Sequence, residues 1–93
     1  MKSSESTRRS KMEILLTVLK IVRGGEQKPT KIMYAANMSW NLTQKVFADL
    51  VRQDLLEVES LEGKGKSTKR YKLSEKGQNV LDYFEGAEAL LKI

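Results

Sequence analysis

Residues 29–59 read PTKIMYAANMSWNLTQKVFADLVRQDLLEVE, and the hydrophobic period changes within them from helical to two. Pro29-Thr30 predicts the start of a short helix from Lys31 to about Ala36, with proline suited to a first turn and Thr30 able to cap it. Ile32, Met33 and Ala36 form its apolar side, Asn37 is a stop, and Met38 plugs the core at the turn that follows. Ser39 then caps a longer helix, about Trp40 to Gln53. At 100° per residue, Leu42, Thr43, Val46, Phe47 and Leu50 share one side, and Asn41, Gln44, Lys45, Ala48 and Arg52 share the other. The second face carries amides and positive charge, with Asp49 at its margin. Beyond Asp54 the period falls to two: Leu56-Glu57-Val58-Glu59-Ser60 alternates as a strand does.

Working outward, Arg70-Tyr71-Lys72-Leu73 alternates again, and Gly63-Lys64-Gly65-Lys66-Ser67 lies between the two runs. Two strands around a glycine-rich loop predict a hairpin with Leu56, Val58, Tyr71 and Leu73 facing the core. Glu57 and Glu59 then face Arg70 and Lys72 across it, a pairing that opposite charges favour. The GKGK tip lacks the spacing and the following helix of a P-loop, so it reads as a cationic hairpin tip or a plain solvated loop.

Upstream, Ser10 and Glu13 form a capping box for a helix whose Ile14, Leu15, Val18, Leu19 and Val22 recur at helical spacing. Gly24-Gly25 ends it. Residues 1–9, MKSSESTRR, are polar and aperiodic and predict a disordered basic tail. Downstream, Ser74 caps a last helix, about Glu75 to Lys92, with Val80, Leu81, Phe84, Ala87 and Leu91 as its apolar stripe and Tyr83 and Leu90 beside it. Its final turns, GAEALLKI, extend past the expected edge of the domain and need cover. Packing on the first helix would supply it, as would a second copy contacting Tyr83, Ala87, Leu90 and Leu91.

Composition narrows the function. Ninety-three residues make one domain, and the net charge is +5. The chain has no cysteine and no histidine. Disulfides, thiolate metal sites and the commonest general base are therefore excluded, and no catalytic or metal-binding cluster stands out. Neither a cofactor, a small-molecule ligand nor a membrane is indicated, and the expected location is the cytoplasm, at the nucleoid. Residues 61–72 carry Lys64, Lys66, Lys69, Arg70 and Lys72 against Glu62 alone, whereas the last twenty residues are mildly acidic. That asymmetry predicts one side turned to a polyanion.

The element order is three helices, a two-stranded hairpin and a C-terminal helix: an α+β, mainly α, winged helix-turn-helix. Residues 10–74 form that domain, and 75–93 the helix that packs on it and dimerises. Base contacts fall to Asn41 and Gln44, whose amides suit adenine edges. Phosphate contacts fall to Thr30, Lys31, Ser39 and Lys45, and wing contacts to Lys64, Lys66, Lys69 and Arg70. Trp40 either packs on sugar and phosphate at the groove edge or anchors two helices together. A winged helix used only to bind other proteins is the competing reading, with the apolar C-terminal turns as its surface.

The run from Ile32 to Glu59, with RYKLSEKGQNVLDYF at 70–84, resembles the small archaeal winged-helix family of DNA-binding proteins and transcriptional regulators. MYAANMSW at 33–40, DLVRQDLLE at 49–57 and YKLSEKG at 71–77 carry the resemblance, which covers roughly residues 10–85; YKLSEKG is shared by many winged-helix families. It implies a homodimer through the C-terminal helix, the third helix in the major groove of double-stranded DNA and wings on flanking backbone. Some members are chromatin-like and others regulate particular genes. Gln53-Asp54 stands where many relatives place a residue followed by glycine, which alters the helix cap. The C-terminal helix is shorter than the long coiled-coil helix of the chromatin-like members, which leaves a shorter contact.

Overall fold

The computed structural model describes residues 10–63 and 66–91, with side chains described for 10–61 and 68–91. The elements are α1 (Lys11–Arg23), α2 (Pro29–Ala36), α3 (Trp40–Arg52), β1 (Leu56–Gly63), β2 (Lys66–Leu73) and α4 (Glu75–Leu91). The strands form one antiparallel hairpin, Leu56 opposite Leu73 and Val58 opposite Tyr71. No helix of the described residues is long and apolar enough to cross a membrane.

Local chemistry explains each boundary. The Ser10–Glu13 capping box forms in full: Ser10 Oγ accepts from the Glu13 amide, and the Glu13 carboxylate from the Ser10 amide, both at 3.0 Å. Ser39 Oγ accepts from the Leu42 amide at 3.1 Å to start α3. The first three helices end alike, each on a left-handed residue: Gly25 (φ 114°), Asn37 (φ 57°) and Asp54 (φ 64°). In each case the left-handed residue and the next one donate back to carbonyls of the last turn, as in Asp54 N to Val51 O and Leu55 N to Leu50 O.

Gly24-Gly25 ends α1 as expected, with Gly24 right-handed (φ −71°) and the positive φ at Gly25. Three expectations need correction. The second helix starts at Pro29, so Thr30 lies inside it and caps nothing. The Glu26 carboxylate instead takes the Gln27 and Lys28 amides, both at 3.1 Å, and proline has no amide to satisfy. The strands run through Gly63 and from Lys66, because cross-strand pairing continues into the segment expected to be loop. Val58 shares the face of its partner Tyr71 but is not buried: it is 42% exposed at the edge of the core. Lys64, the side chain of Lys66, residues 1–9 and residues 92–93 lie outside the described residues.

The core joins all four helices to the base of the hairpin. It contains Val18, Leu19, Val22, Ile32, Ala36, Val46, Phe47, Leu50, Leu55, Leu56, Tyr71 and Leu81. Phe47 of α3 and Tyr71 of β2 stack with ring centroids 4.0 Å apart. The Tyr71 amide also donates to Gln27 O at 3.0 Å, tying the wing to the segment before α2. Arg23 of α1 grips Glu85 of α4 through two bonds of 2.8 and 2.5 Å. That hydrogen-bonded guanidinium holds the Glu85 carboxyl below its ordinary pKa.

The junction between α3, the wing and α4 is closely bonded. Lys76 Nζ donates to Gln53 O at 2.9 Å, Ser74 Oγ to Asp54 O at 2.6 Å, and the Ser74 amide to Leu55 O at 3.2 Å. Ser74 Oγ also accepts from the Gly77 amide at 2.9 Å. A Cβ on Gly77 would stand 2.3 Å from Leu55 O and 2.8 Å from Leu73 Cδ1. Gly77→Ala is therefore expected to lower stability by about 2–3 kcal/mol, read as the shift of the urea midpoint at unchanged slope. Asp54→Gly should do the reverse. Relief of the left-handed backbone outweighs the added freedom of the unfolded chain, for a gain of about 0.5 kcal/mol and a rise of about 2–4 °C in Tm.

Candidate nucleic-acid interface

The Trp40–Arg52 helix presents the two faces its sequence predicts. Thr43, Val46, Phe47 and Leu50 are buried, Leu42 is half-buried, and Asn41, Gln44, Lys45, Ala48 and Arg52 are exposed. Thr43 is tolerated inside because its hydroxyl donates to Ser39 O at 2.7 Å. The Phe47–Tyr71 stack sets the distance between α3 and the wing, so the exposed face of α3 and the start of β2 share one side of the molecule.

Between them runs a cleft of about 300 Å³ that includes Trp40, Gln44, Ala48, Val58 and Lys69 in its walls. A second hollow, about 400 Å³, is lined by Lys28, Thr30, Trp40, Thr68, Lys69 and Arg70. The two share Pro29, Trp40 and Lys69, so they form one groove with an apolar stretch beside α3 and a cationic stretch beside the start of α2. Trp40 is 42% exposed at their meeting point and is not an anchor sealed between helices.

Of the residues singled out from sequence, Thr30, Trp40, Gln44, Lys69 and Arg70 thus come together. Lys31 and Asn41 are exposed but outside both linings. Ser39 spends its hydroxyl on the α3 cap. Lys45 lies on the other flank of α3, in a depression with Lys11 and Asp49. Lys28 and Val58 were missed as groove residues. A lysine directly before the helix-opening Pro29 was the available signal for the first. Nothing in the alternation of β1 separates Val58 from Leu56.

Electrostatics on that flank centre on Asp49. Arg52 hydrogen-bonds its carboxylate, and Lys11 pairs with it at 3.3 Å. The Arg52 bond foremost, then Lys11, holds this carboxyl below the usual range. Burial pushes the Tyr71 phenol up. Among the described residues no group of three or more carboxylates is placed to hold a metal ion.

Comparison with known proteins agrees with this architecture. A family model described as winged helix-turn-helix matches residues 8–92. An uncharacterized protein of Methanocaldococcus jannaschii is 30% identical over 73 residues, which cover 78% of this chain and 67% of that one. A second from the same organism is 32% identical over 80 residues, covering 86% of this chain and 34% of the other. The chain therefore spans about two thirds of one relative and about one third of the other. The crystal structure of a MarR family transcription regulator superposes with a TM-score of 0.73 at 14% identity, over 83% of this chain and 51% of its own. One of a protein from Archaeoglobus fulgidus gives 0.68 at 20% identity, over 90% and 92%. At such identities the likeness to both structures is one of fold. With three helices, a wing and a closing helix in the matched order over residues 8–92, this chain belongs to the winged helix-turn-helix family.

Proposed function

We propose that this protein binds duplex DNA as a transcriptional regulator, with α3 in the major groove and the wing on neighbouring backbone. The observation that carries the reading is the single surface formed by the exposed polar face of α3 and the Lys69–Arg70 end of the wing, with Lys28 and Thr30 beside them. Asn41 and Gln44 project from α3 without a buried role, as base-reading amides must. Lys31, Lys45, Lys69 and Arg70 supply the cations that phosphates need, and Thr30 a hydroxyl beside the start of α2. Trp40 and Val58 give the groove an apolar lining suited to deoxyribose and thymine methyl groups. Winged helix-turn-helix proteins are typically binding proteins rather than enzymes, and the groove offers no paired acid and base.

Mobility shift on a random-sequence duplex at low salt is the direct test. Retardation is expected, weakening with a log–log salt slope of roughly −5 if about six phosphates are engaged. Replacing Gln44 and Lys45 together by alanine should cost at least about tenfold in affinity without lowering Tm, since both side chains are exposed. Unchanged binding in that variant would remove α3 from the interface.

Two copies are expected to act together. On either side of the Arg23–Glu85 clasp, α4 carries Tyr83, Leu90 and Leu91 at 73%, 85% and 68% exposure, with Ala87 on the same stripe. With a partner α4 covering this stripe, the two recognition helices are expected one turn of DNA apart or a multiple of it. Leu90→Glu with Leu91→Glu should then halve the mass found by sedimentation equilibrium while α1 to β2 stay folded. A wild type that sediments as a monomer at all concentrations would instead favour the stripe as a docking site for a different protein.

A further inference from the structure

Asp49 is the one acidic residue in the Trp40–Arg52 helix. It stands beside a surface whose other charges are positive, and three cations surround it. Lys11 comes from α1, Arg52 from the next turn of α3, and Lys45 from the preceding turn lines the same depression. The arrangement is lopsided in exposure. The Asp49 side chain keeps 19% of its accessible surface, whereas Lys11 and Arg52 keep 74% and 68%. The two cations reach from solvent onto a carboxylate held against the domain. Arg52 shares its helix face with Asn41, Gln44, Lys45 and Ala48, so one contact draws a cation on the DNA-facing stripe toward its edge.

We infer that Asp49 is an internal stand-in for phosphate, a brake that keeps Lys11 and Arg52 from the backbone of any duplex that α3 meets. The inference rests on the DNA-binding reading of α3 above. A carboxylate and a phosphate oxygen compete for the same donors, and a guanidinium satisfied by one is withheld from the other. The carboxylate also repels phosphates within about 10 Å at ordinary salt. Both effects subtract from binding that depends on charge alone. Contacts made by Asn41 and Gln44 to base edges are left untouched. Asp49 thus lowers affinity for every sequence while leaving the preference between sequences to the amides, so that occupancy away from a preferred site falls.

The test uses the full chain, Asp49→Asn, and a random-sequence duplex titrated across a salt series. Asparagine keeps the shape and removes the charge. Binding should become about three- to tenfold tighter near 0.1 M salt, and the log–log slope steeper by about one to two, as the freed cations displace counterions. In a Lys11→Gln, Arg52→Gln background the same substitution should gain clearly less, because only the carboxylate's own repulsion is left to remove. Asp49→Asn that binds no tighter, while its circular dichroism and Tm match the wild type, overturns the inference. So does an equal gain in the doubly substituted background, which would reduce Asp49 to a simple repulsive charge. Should Asp49→Asn fail to fold, Asp49→Ser in the same salt series decides: it too should bind tighter with a steeper slope, and a folded Asp49→Ser protein that binds no tighter overturns the inference. If the wild type and every variant leave duplex unshifted at low salt, the DNA reading itself falls and takes this inference with it.

Discussion

Everything on the binding side depends on one corner, where the end of α3 meets the start of α4. Three successive carbonyls, of Gln53, Asp54 and Leu55, would be left unpaired by the turn from helix to strand. They are taken by Lys76 Nζ, Ser74 Oγ and the Ser74 amide. Of the three residues Leu55 is buried, where satisfying a backbone carbonyl is close to obligatory, so this closure constrains where α4 can begin. Gly77 makes the closure possible, because only a residue without Cβ fits against Leu55 O. The SEKG sequence at 74–77 thus has a physical reading residue by residue: a serine that bonds in two directions, a lysine that caps a carbonyl, and a glycine that allows contact.

From that corner the wing acquires its direction. β1 leaves from Leu56, buried beside Leu55, and β2 returns to Leu73 next to Ser74. The Phe47–Tyr71 stack and the bond from the Tyr71 amide to Gln27 O then fix β2 against both α3 and the segment before α2. The wing is held at its base on three sides, and from Val58 outward it extends beyond the core. The groove beside α3 follows from this geometry. Its floor rests on the buried aromatic pair, and its rim is formed by side chains that found no place in the core.

Charge is organised on top of that frame. Glu59 pairs with Lys72 at 3.5 Å across the hairpin, and Asp49 with Lys11 and Arg52, which leaves Lys28, Lys31, Lys45, Lys69 and Arg70 without an acidic partner in salt-bridge range among the described residues. Asp49 and Glu59 are thus taken up by particular cations, while these five stand at the start of α2, on α3 and on the wing. The Arg23–Glu85 pair serves a different purpose, fastening α4 to α1 within the stretch where its apolar side chains are exposed.

Much of this was legible in the sequence, because it is set by local rules. The capping box at Ser10, the caps at Ser39 and Ser74, the two faces of α3 and the pairing of Glu57 and Glu59 with Arg70 and Lys72 depend on neighbours a few residues away or on strand period alone. Even the absence of glycine after Gln53 pointed to an unusual cap, which proved to be Asp54 in a left-handed conformation. What sequence could not decide concerned partners far apart in the chain. Val58 and Leu56 alternate identically, yet one is exposed and the other buried, since only the packing of β1 against α3 says where the domain ends. Asp49 read as a marginal charge on a polar face. Its capture by Lys11, from the other end of the domain, exists only because α1 folds back beside α3. Period and capping determined which elements this protein has. Long-range closure of backbone groups and packing volumes decided which of its side chains were left free to bind.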